Sequence, residues 1–354
     1  MNKFGIIGSG WRAEFYLRVA KFLPQKFQVV GLVTRNTARA AYLTQEYGIK
    51  CYSDVNEMLE GENPPFVVVS INASASTDLV LSLLAQNVAV LMETPPATSY
   101  EDLNRFYEAA HGAKIQIAEN YPFQPMHKAR LEFINSGKLG NIQQTQITYT
   151  HGFHAFALMR KYLGIGFEDA EIFARSVSLD VLGGFTRDGE PKSEEILTKK
   201  QTFGIIEFGK KTGIYNFEMD QHRSWIRTPL IHIKGDRGEV FNTKIKYMAD
   251  YKTPVETEIV RKNLGQEDFE GFDLKGIFAD SCWLYRNPYQ GSRLSDDEIA
   301  VAHLLKNMDI YLKTGKSSYA LEDALHDVYL SLLLDEAAKN NKMMQSKTQA
   351  WGKI

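Results

Sequence analysis

The stretch that decides the fold is Lys3-Phe4-Gly5-Ile6-Ile7-Gly8-Ser9-Gly10-Trp11-Arg12-Ala13. A short apolar strand runs directly into Gly-x-Gly-x-x-Ala, and a helical pattern follows at once. In a dinucleotide-binding unit Gly8 makes a tight turn, Gly10 lets the backbone approach a pyrophosphate, and Ala13 lets the helix pack closely on the strand. The N-terminus of the helix adds free N–H groups and a positive dipole. The motif therefore predicts a dinucleotide site that contains Gly8, Ser9, Gly10, Trp11 and Arg12.

The first third of the chain alternates short apolar segments with helical patterns. Strands are predicted at residues 4–7, 28–33, 66–71, 88–92 and 115–118, and helices at residues 12–22, 37–47, 77–86 and 101–110. This alternation is typical of a doubly wound parallel sheet, the α/β Rossmann class. Ligands of such sheets bind beyond the carboxyl ends of the strands. The predicted site therefore extends to Asn72, Glu93 and Asn120.

After about residue 121 the pattern changes: apart from a helix that starts near Pro125 and ends near Gly137, and a short helix at residues 154–163, it consists of strand-like segments. These segments lie at residues 142–150, 171–179, 202–208, 213–219, 230–234, 239–242 and 255–260. They predict an α+β domain with a large, open-faced, mostly antiparallel sheet. A capping box at Ser295–Glu298 begins a helix that ends near Gly315, and residues 321–339 form the last helix. We therefore divide the chain into a dinucleotide-binding domain at 1–121 and a substrate and oligomerisation domain at 122–354, whose C-terminal helices can pack back on the first domain.

Bulk composition narrows the function classes. The chain has 354 residues, of which 44% are hydrophobic and 24% are charged, and its net charge is −2. Without a long basic run, nucleic-acid binding is not expected. Cys51 and Cys282 are the only cysteines, which suits a reducing cytoplasm, and no apolar run approaches the ~20 residues of a membrane span. The eight histidines are scattered and form no metal-binding motif, so we expect a cytoplasmic protein without a metal, a membrane or a nucleic acid as partner.

The end of the second strand bears on the choice of cofactor. An acidic residue at this position holds the ribose 2′-hydroxyl of NAD, but the sequence here is Val33-Thr34-Arg35-Asn36. The guanidinium of Arg35 suits both pairing with a 2′-phosphate and stacking on adenine. The alternative is that Arg35 and Arg39 are solvated charges at the start of a helix. The prediction is NADP or NAD, with a modest preference for NADP, bound in part by Thr34, Arg35 and Asn36.

Several motifs occur together in one order. They are the glycine loop, the sequence after the second strand, Glu93-Thr94-Pro95, Glu119-Asn120-Tyr121 and Gly152-Phe153-His154. In this order they resemble the Gfo/Idh/MocA family of glucose–fructose oxidoreductase, inositol dehydrogenase and rhizopine catabolism proteins, over essentially the whole chain. The resemblance implies a Rossmann domain and an open-faced sheet domain that lines the substrate site or forms a subunit interface. It also implies NAD(P), hydride transfer at a carbinol carbon of a sugar, cyclitol or related polyol, and a homodimer or homotetramer.

Two departures from the family pattern make this an atypical member. The Glu-Lys-Pro motif of the family falls on Glu93-Thr94-Pro95, and its Asp-x-x-x-His pair falls on Thr150 and His154. In the family the lysine orders and polarises the reacting hydroxyl close to the nicotinamide. Thr94 carries no charge and cannot do this electrostatic work, so it acts only as a neutral hydrogen-bonding group. Thr150 likewise cannot act as an anionic partner for a histidine.

The catalytic candidates are His154, Tyr121 and Thr94. A histidine that titrates near neutrality suits proton transfer in either direction, and His154 at the start of a helix is the best candidate. The alternative is that His154 caps or packs the helix. His151 replaces the missing partner or is a polar residue at a strand end. Tyr121 donates a proton, holds a substrate hydroxyl or is an aromatic hinge residue.

The remaining candidates bind the cofactor or the substrate. Asn72 and Asn120 suit orientation of the nicotinamide or its ribose, and Glu93 bonds the ribose or is an ordinary strand-end acid. The segment 220–227 is dense in polar and aromatic groups. Trp225 there suits stacking on a sugar face, and Arg223 or Arg227 suits an anionic substituent. An exposed hairpin or a dimer contact explains the segment equally well.

Three functions therefore remain open from the sequence. The first is an NAD(P)-dependent oxidoreductase that acts on a sugar-like hydroxyl or keto group. The second is a cofactor-binding sensor or noncatalytic homologue that lost the lysine. The third is an enzyme that uses transient oxidation by tightly held NAD to cleave a glycosidic bond.

Overall fold

The chain divides into two compact units. The computed structural model describes residues 1–187, 189–265 and 271–353. The first unit comprises residues 1–128, 261–277 and 285–325, and the second comprises residues 129–260, 278–284 and those from 326 onward.

The first unit contains a six-stranded sheet. Its strands are β1 (Asn2–Ile7), β2 (Phe27–Val33), β3 (Cys51–Tyr52), β4 (Val67–Val69), β5 (Val90–Met92) and β6 (Ile115–Ile117). They pair in the order β3-β2-β1-β4-β5-β6, and every pair is parallel. The central strands consist almost wholly of buried Val, Ile, Leu and Met, as strands covered on both faces require. The predicted Rossmann sheet is confirmed.

Helices connect these strands as the crossover rule demands. They are α1 (Ala13–Phe22), α2 (Thr37–Tyr47), α3 (Val55–Glu62), α4 (Ala73–Ala85) and α5 (Tyr100–Ala110). Strand β3 and helix α3 have no counterpart among the elements predicted from the sequence. The helix α3 is short and includes Gly61, and its start depends on Asp54, whose Oδ1 accepts the N–H groups of Asn56 and Glu57 at 2.8 and 3.1 Å. Helix α4 begins four residues before the predicted start, at Ala73 instead of residue 77.

The second unit is built on a nine-stranded mixed sheet. Helix α6 (Pro125–Asn135) precedes it, and α7 (Gly152–Leu163) follows the first strand of this sheet. The strands are β7 (Ile142–Ile147), β8 (Glu171–Leu182), β9 (Ile196–Phe208), β10 (Lys211–Glu218), β11 (Ile231–Gly235), β12 (Gly238–Phe241), β13 (Lys244–Met248) and β14 (Pro254–Glu258). A short strand near the C-terminus, Met344–Gln345, is the ninth. The order is β14-β13-β12-β11-β7-β10-β9-β8 followed by this short strand, and only β7 and β10 among these neighbours run parallel.

The two faces of this sheet differ. Helix α7 packs on one face so closely that a Cβ at Gly213 would lie 2.1 Å from the sulfur of Met159. On the opposite face, alternate side chains of β8 and β9 point outward. Phe173, Phe203 and Ile205 are exposed there. The open-faced, mostly antiparallel sheet predicted from the sequence is therefore confirmed.

The rest of the described chain forms a small sheet and two long helices. Strands β15 (Val260–Asn263), β16 (Leu274–Ala279) and β17 (Cys282–Arg286) pair in chain order. Helix α8 (Asp296–Thr314) begins with the predicted capping box, in which Ser295 and Glu298 bond each other's backbone N–H, and ends at Gly315 with a φ of 72°. Helix α9 (Leu321–Asn340) ends within one residue of the predicted position.

Candidate functional site

The glycine loop between β1 and α1 has the shape of a phosphate-binding turn. Gly8 has a φ of 116°, and a Cβ there would lie 2.1 Å from the carbonyl oxygen of Ser70, so only glycine fits. A Cβ at Gly10 would meet no atom within 4 Å. The absence of a side chain at Gly10 therefore leaves the loop open to a ligand and is not required by packing of the protein itself. The loop fits the pyrophosphate of a dinucleotide.

A network of hydrogen bonds joins the glycine loop to the start of α2. The hydroxyl groups of Ser9 and Thr34 lie 2.7 Å apart. The side-chain oxygen of Asn36 accepts the N–H of Arg39 at 2.9 Å and caps α2. Arg39 donates from Nε to the carbonyl oxygen of Ser9 at 3.0 Å and pairs with Glu14. Thr34 and Asn36 therefore shape this end of the site, and Arg39 is held in place by the protein.

Arg35 has a different environment. Its side chain is exposed, and it takes part in no hydrogen bond or ion pair with the residues that the structure describes. Because β2 carries the adenosine end of a dinucleotide in this fold, Arg35 is an available cation where a 2′-phosphate would lie. Trp11, on the other side of the loop, is half exposed and meets the edge of Phe15 with ring centroids 4.7 Å apart.

Arg12 and Glu93 form a partly buried ion pair at the end of β5. The Nε of Arg12 donates to Oε1 of Glu93 at 3.1 Å, and the side chains are only 19% and 13% exposed. The hydroxyl of Tyr16 donates to the same carboxylate oxygen. Burial alone would lower the pKa of Arg12, but Glu93, Tyr16 and Asp297 together raise it. Burial and Glu93 also raise the pKa of Tyr16, which keeps its proton and remains a donor.

The carboxyl end of β6 is held by helix α8. The side-chain amide of Asn120 donates to Oδ1 of Asp297 at 2.8 Å, and Gln124 donates to the same oxygen at 2.6 Å. Tyr121 begins a short 3₁₀ turn, and its ring lies 6.1 Å from that of His127. The amide of Asn120 is therefore bonded to the protein, and its side-chain oxygen is the group left to meet a ligand.

Asn72 and Thr94 complete the carboxyl edge of this sheet. Asn72 is exposed at the start of α4 and makes no side-chain capping bond. Thr94 is partly buried directly after Glu93. The structure thus gathers the predicted residues of the first unit at one edge: Gly8, Ser9, Gly10, Trp11, Arg12, Thr34, Arg35, Asn36, Asn72, Glu93, Thr94, Asn120 and Tyr121.

In the second unit, three histidines meet at the start of α7. The ring centroid of His151 lies 5.1 Å from that of His154 and 6.4 Å from that of His222. Phe153 lies 4.3 Å from His154, and Phe217 lies 5.9 Å from His151. The predicted pair of His151 and His154 is therefore brought together, with His222 as a third member that the sequence analysis did not single out.

The surroundings of His151 and His222 favour the neutral form of both imidazoles. Desolvation by the surrounding rings, then His154 and His222, lower the pKa of His151 to about 4, against a smaller opposite effect of Asp220. Desolvation and Arg223 lower the pKa of His222 as well, against Asp220. At neutral pH the ring of His151 is therefore uncharged and has one nitrogen that donates and one that accepts.

The first turn of α7 is anchored from below. The N–H of Gly152 donates to the hydroxyl of Tyr215 at 3.2 Å, and burial raises the pKa of Tyr215 to about 12. Thr150 is 1% exposed, and its hydroxyl has no hydrogen-bond partner among the described residues. Thr150 therefore does not replace the aspartate of the family motif as a hydrogen-bonded partner of a histidine.

The segment after β10 places its two arginines differently. Arg227 donates from Nε to the buried carboxylate of Glu218 at 3.0 Å. Arg223 instead lines a recess of about 70 Å³ together with Lys199 and Asp220. Trp225 is 79% exposed, and its ring lies 6.0 Å from that of Phe185. Arg223 is thus the better candidate for an anionic substituent, and Trp225 has a free face for stacking.

The described ranges contain neither a metal-binding cluster nor a helix able to span a membrane. No group of three or more His, Cys, Asp or Glu side chains there is arranged to hold a metal ion, in spite of the three neighbouring histidines. No helix in the same part of the chain is long and apolar enough to cross a membrane.

Sequence reasoning missed two residues that shape the first unit. Tyr16 lies one helical turn after Arg12, so the i, i+4 spacing was a usable signal that both side chains share a face. Asp297 lies in the first turn of a capped helix, and its bonds to Asn120 and Gln124 join positions far apart in sequence. Pattern alone could not have shown the second of these.

The parallel sheet and the glycine loop are those of a dinucleotide-binding Rossmann domain. Residues 2–121 match the profile of the Gfo/Idh/MocA oxidoreductase family, described as having an NAD-binding Rossmann fold. Residues 2–121 are therefore similar to the NAD-binding Rossmann domain of the Gfo/Idh/MocA oxidoreductases.

Individual relatives are distant. An uncharacterised oxidoreductase of Schizosaccharomyces pombe is 27% identical over 168 residues, which are 45% of this chain and 44% of the relative. The 1,5-anhydro-D-fructose reductase of Ensifer adhaerens is 25% identical over 143 residues, 40% of this chain and 43% of the relative. The chain thus matches less than half the length of these curated relatives. Among solved structures, the apo form of levoglucosan dehydrogenase superposes with a TM-score of 0.72 and 14% identity over 99% of both chains, which extends the shared fold to the whole chain.

Proposed function

We propose that the protein is an NAD(P)-dependent oxidoreductase that transfers hydride to or from the carbinol carbon of a sugar, cyclitol or related polyol. The observation that carries this proposal is the loop in which Gly8 admits no side chain and Gly10 is open, at the edge that also presents Glu93 and Asn120. The substrate class is supported by the names of two similar proteins, 1,5-anhydro-D-fructose reductase and levoglucosan dehydrogenase.

The oxidised nicotinamide, when bound, accepts the hydride that leaves the carbinol carbon as the C=O bond forms. The hydroxyl proton then needs a base, and we assign this role to His154. The pKa of His151 is lowered to about 4, so its imidazole is neutral at pH 7. A neutral His151 does not repel the positive charge that His154 gains when it accepts the proton. Tyr121 and Thr94 hold the hydroxyl as neutral groups, and Asn72, Glu93 and Asn120 orient the nicotinamide ribose. Arg223, Trp225 and His151 contact the rest of the substrate.

The cofactor in this proposal is NADP in preference to NAD. Support comes from the absence of a carboxylate after β2 and from the exposed guanidinium of Arg35. The bonds of Ser9, Thr34 and Asn36 fix the backbone on which Arg35 is carried.

The experiment is a turnover assay with levoglucosan, myo-inositol and 1,5-anhydro-D-fructose, each with NAD(H) and NADP(H). We expect one of these to be turned over, and His154→Gln to lower kcat by about 10²- to 10⁴-fold, the usual contribution of a general base. His232→Gln is the matched control, since His232 belongs to the same unit but pairs with Glu239 on β11 and β12. Activity that survives in His154→Gln would remove His154 from the mechanism.

A cofactor-binding sensor is the second candidate, because Thr94 stands where the family has its lysine. It predicts that NADH or NADPH binds, seen by nicotinamide fluorescence, while no compound of the panel is turned over.

We also propose that the open face of the nine-stranded sheet joins two copies of the chain in a homodimer or homotetramer. This face presents Phe173, Phe203 and Ile205 and a shallow depression of about 480 Å³. Exposed apolar patches of this kind mark interaction surfaces. Sedimentation velocity should show an oligomer that Phe203→Glu dissociates, and a monomeric wild-type protein would contradict the proposal.

A further inference from the structure

The nicotinamide half of the carboxyl edge has no cation of its own. The strands β4, β5 and β6 are followed by Ser70-Ile71-Asn72, Glu93-Thr94-Pro95-Pro96 and Ala118-Glu119-Asn120, none of which contains lysine or arginine. Removing a hydroxyl proton and a hydride from an alcohol leaves negative charge on oxygen at an intermediate stage. A positive group fixed beside that oxygen lowers the barrier.

Arg12 brings a cation to this position from the other side of β4. Arg12 lies at the end of the loop that follows β1, directly before α1. In the sheet, β4 lies between β1 and β5. With neighbouring strands ~4.8 Å apart, the step from β1 to β5 is about 10 Å. The loop after β1 and the side chains of Arg12 and Glu93 together bridge this step, since Nε of Arg12 meets Oε1 of Glu93 at 3.1 Å.

The orientation of Arg12 is fixed while part of its donor capacity is unused. Glu93 binds Nε, and the guanidinium carbon lies 4.8 Å from the centre of the Phe15 ring. The terminal nitrogens make no hydrogen bond with any residue in the described part of the chain. Tyr16 supplies a second hydrogen bond to Glu93, so the carboxylate is itself held in place. This is a preorganised cation, which costs no reorganisation when charge develops.

We propose that Arg12 supplies the positive charge that the lysine of the Glu-Lys-Pro sequence supplies in the family, so that hydride transfer depends on Arg12 instead of on the residue at position 94. This inference rests on the proposed oxidoreductase function. The step is balanced: the carbinol C–H bond breaks, hydride with both electrons reduces the oxidised nicotinamide, the O–H proton passes to His154, and the C=O bond forms. Arg12 donates N–H groups to the substrate oxygen throughout and neither gains nor loses a proton.

Charge relocation tests this directly. Four proteins are compared with wild type on the best substrate of the panel: Arg12→Gln, Arg12→Lys, Arg12→Gln/Thr94→Lys and Arg12→Gln/Glu93→Gln. We expect Arg12→Gln to lower kcat by about 10²-fold, the cost of losing one preorganised donor, while the Kd for NADPH changes less than about threefold. Arg12→Lys should retain more activity, because the charge remains. The double variant Arg12→Gln/Thr94→Lys should have a kcat at least about tenfold higher than that of Arg12→Gln.

The double neutral variant keeps the test valid if Arg12→Gln is unstable, because it removes the carboxylate that Arg12→Gln would leave unpaired in a partly buried place. The double neutral variant should be at least as inactive as Arg12→Gln at a normal Tm, since Glu93 also serves the cofactor in the proposed function. Arg18→Gln is the control: Arg18 lies on the same helix but pairs with Glu14 and Glu298. A merely structural Arg12 would not be rescued by a lysine at position 94.

The outcomes separate the inference from the function on which it rests. If Arg12→Gln keeps the kcat of an active wild type, or loses NADPH affinity by as much as it loses kcat, the inference is wrong and the oxidoreductase proposal stands. In the latter case Arg12 is a phosphate ligand. If wild type binds NADPH but turns over nothing in the panel, the function and this inference are both overturned.

Discussion

Two arginines follow adjacent strands, β1 and β2, at the same edge of the sheet and differ in almost every physical respect. Arg35, after β2, is exposed and makes no ion pair among the described residues. Arg12, after β1, is 19% exposed and bonded to Glu93, which Tyr16 also binds. An exposed side chain pays rotamer entropy when it meets a ligand and is screened by salt, whereas a buried, bonded one is already oriented. Residue type alone therefore does not assign a role. The exposed Arg35 is suited to recognising a ligand, whereas the oriented Arg12 is suited to supplying a fixed electric field.

The largest difference between Arg12 and Arg35 should appear in the free energy of unfolding. In Glu93→Gln the amide still accepts hydrogen bonds, but Arg12 loses its opposite charge in a place largely screened from water. We expect a loss of about 1–3 kcal/mol in the free energy of unfolding. Arg35→Gln, at an exposed position without partners, should change it by less than about 0.5 kcal/mol. Urea unfolding at pH 7 measures both.

A double-mutant cycle sharpens this result. Arg12→Gln and Glu93→Gln should show a coupling energy of about 0.5–3 kcal/mol, as residues in direct contact do. Arg35→Gln combined with Glu93→Gln should be additive, because the two sites share no partner. If Glu93→Gln were as neutral as Arg35→Gln, the contrast between a fixed and a free arginine would collapse.

How far the sequence predicts this molecule follows from the range of the interactions. Strands such as β4 and β5 are apolar runs between turn signals, so local pattern sufficed to predict them, and Gly315 marked the end of α8 by its conformational freedom. Strand β3 has two residues, Cys51 and Tyr52, which is too short for any periodicity to show. Its existence depends on pairing with β2, a tertiary fact.

The candidate site divides in the same way. The glycine loop was predictable because a turn with φ of 116° at Gly8 demands a residue type that the sequence displays. The bond from Arg12 to Glu93 spans 81 positions and that from Asn120 to Asp297 spans 177, and no local rule relates such pairs. The contact between His222 and His151 could not be predicted for the same reason. The end of β10 and the start of α7 come together only once the sheet is formed.

The smallest expected effect concerns Arg35 and the choice between NADPH and NADH. If Arg35 meets a 2′-phosphate, Arg35→Gln should weaken NADPH binding about tenfold, or about 1.4 kcal/mol, and leave NADH binding unchanged. Fluorescence titrations of both nucleotides at two salt concentrations measure this, and the NADPH preference of wild type should shrink at the higher one because the guanidinium is exposed. Lys21→Gln, which removes an equally exposed cation paired with Glu46, controls for net charge. Equal weakening of both nucleotides would instead place Arg35 on the adenine, where it stacks without reading the phosphate.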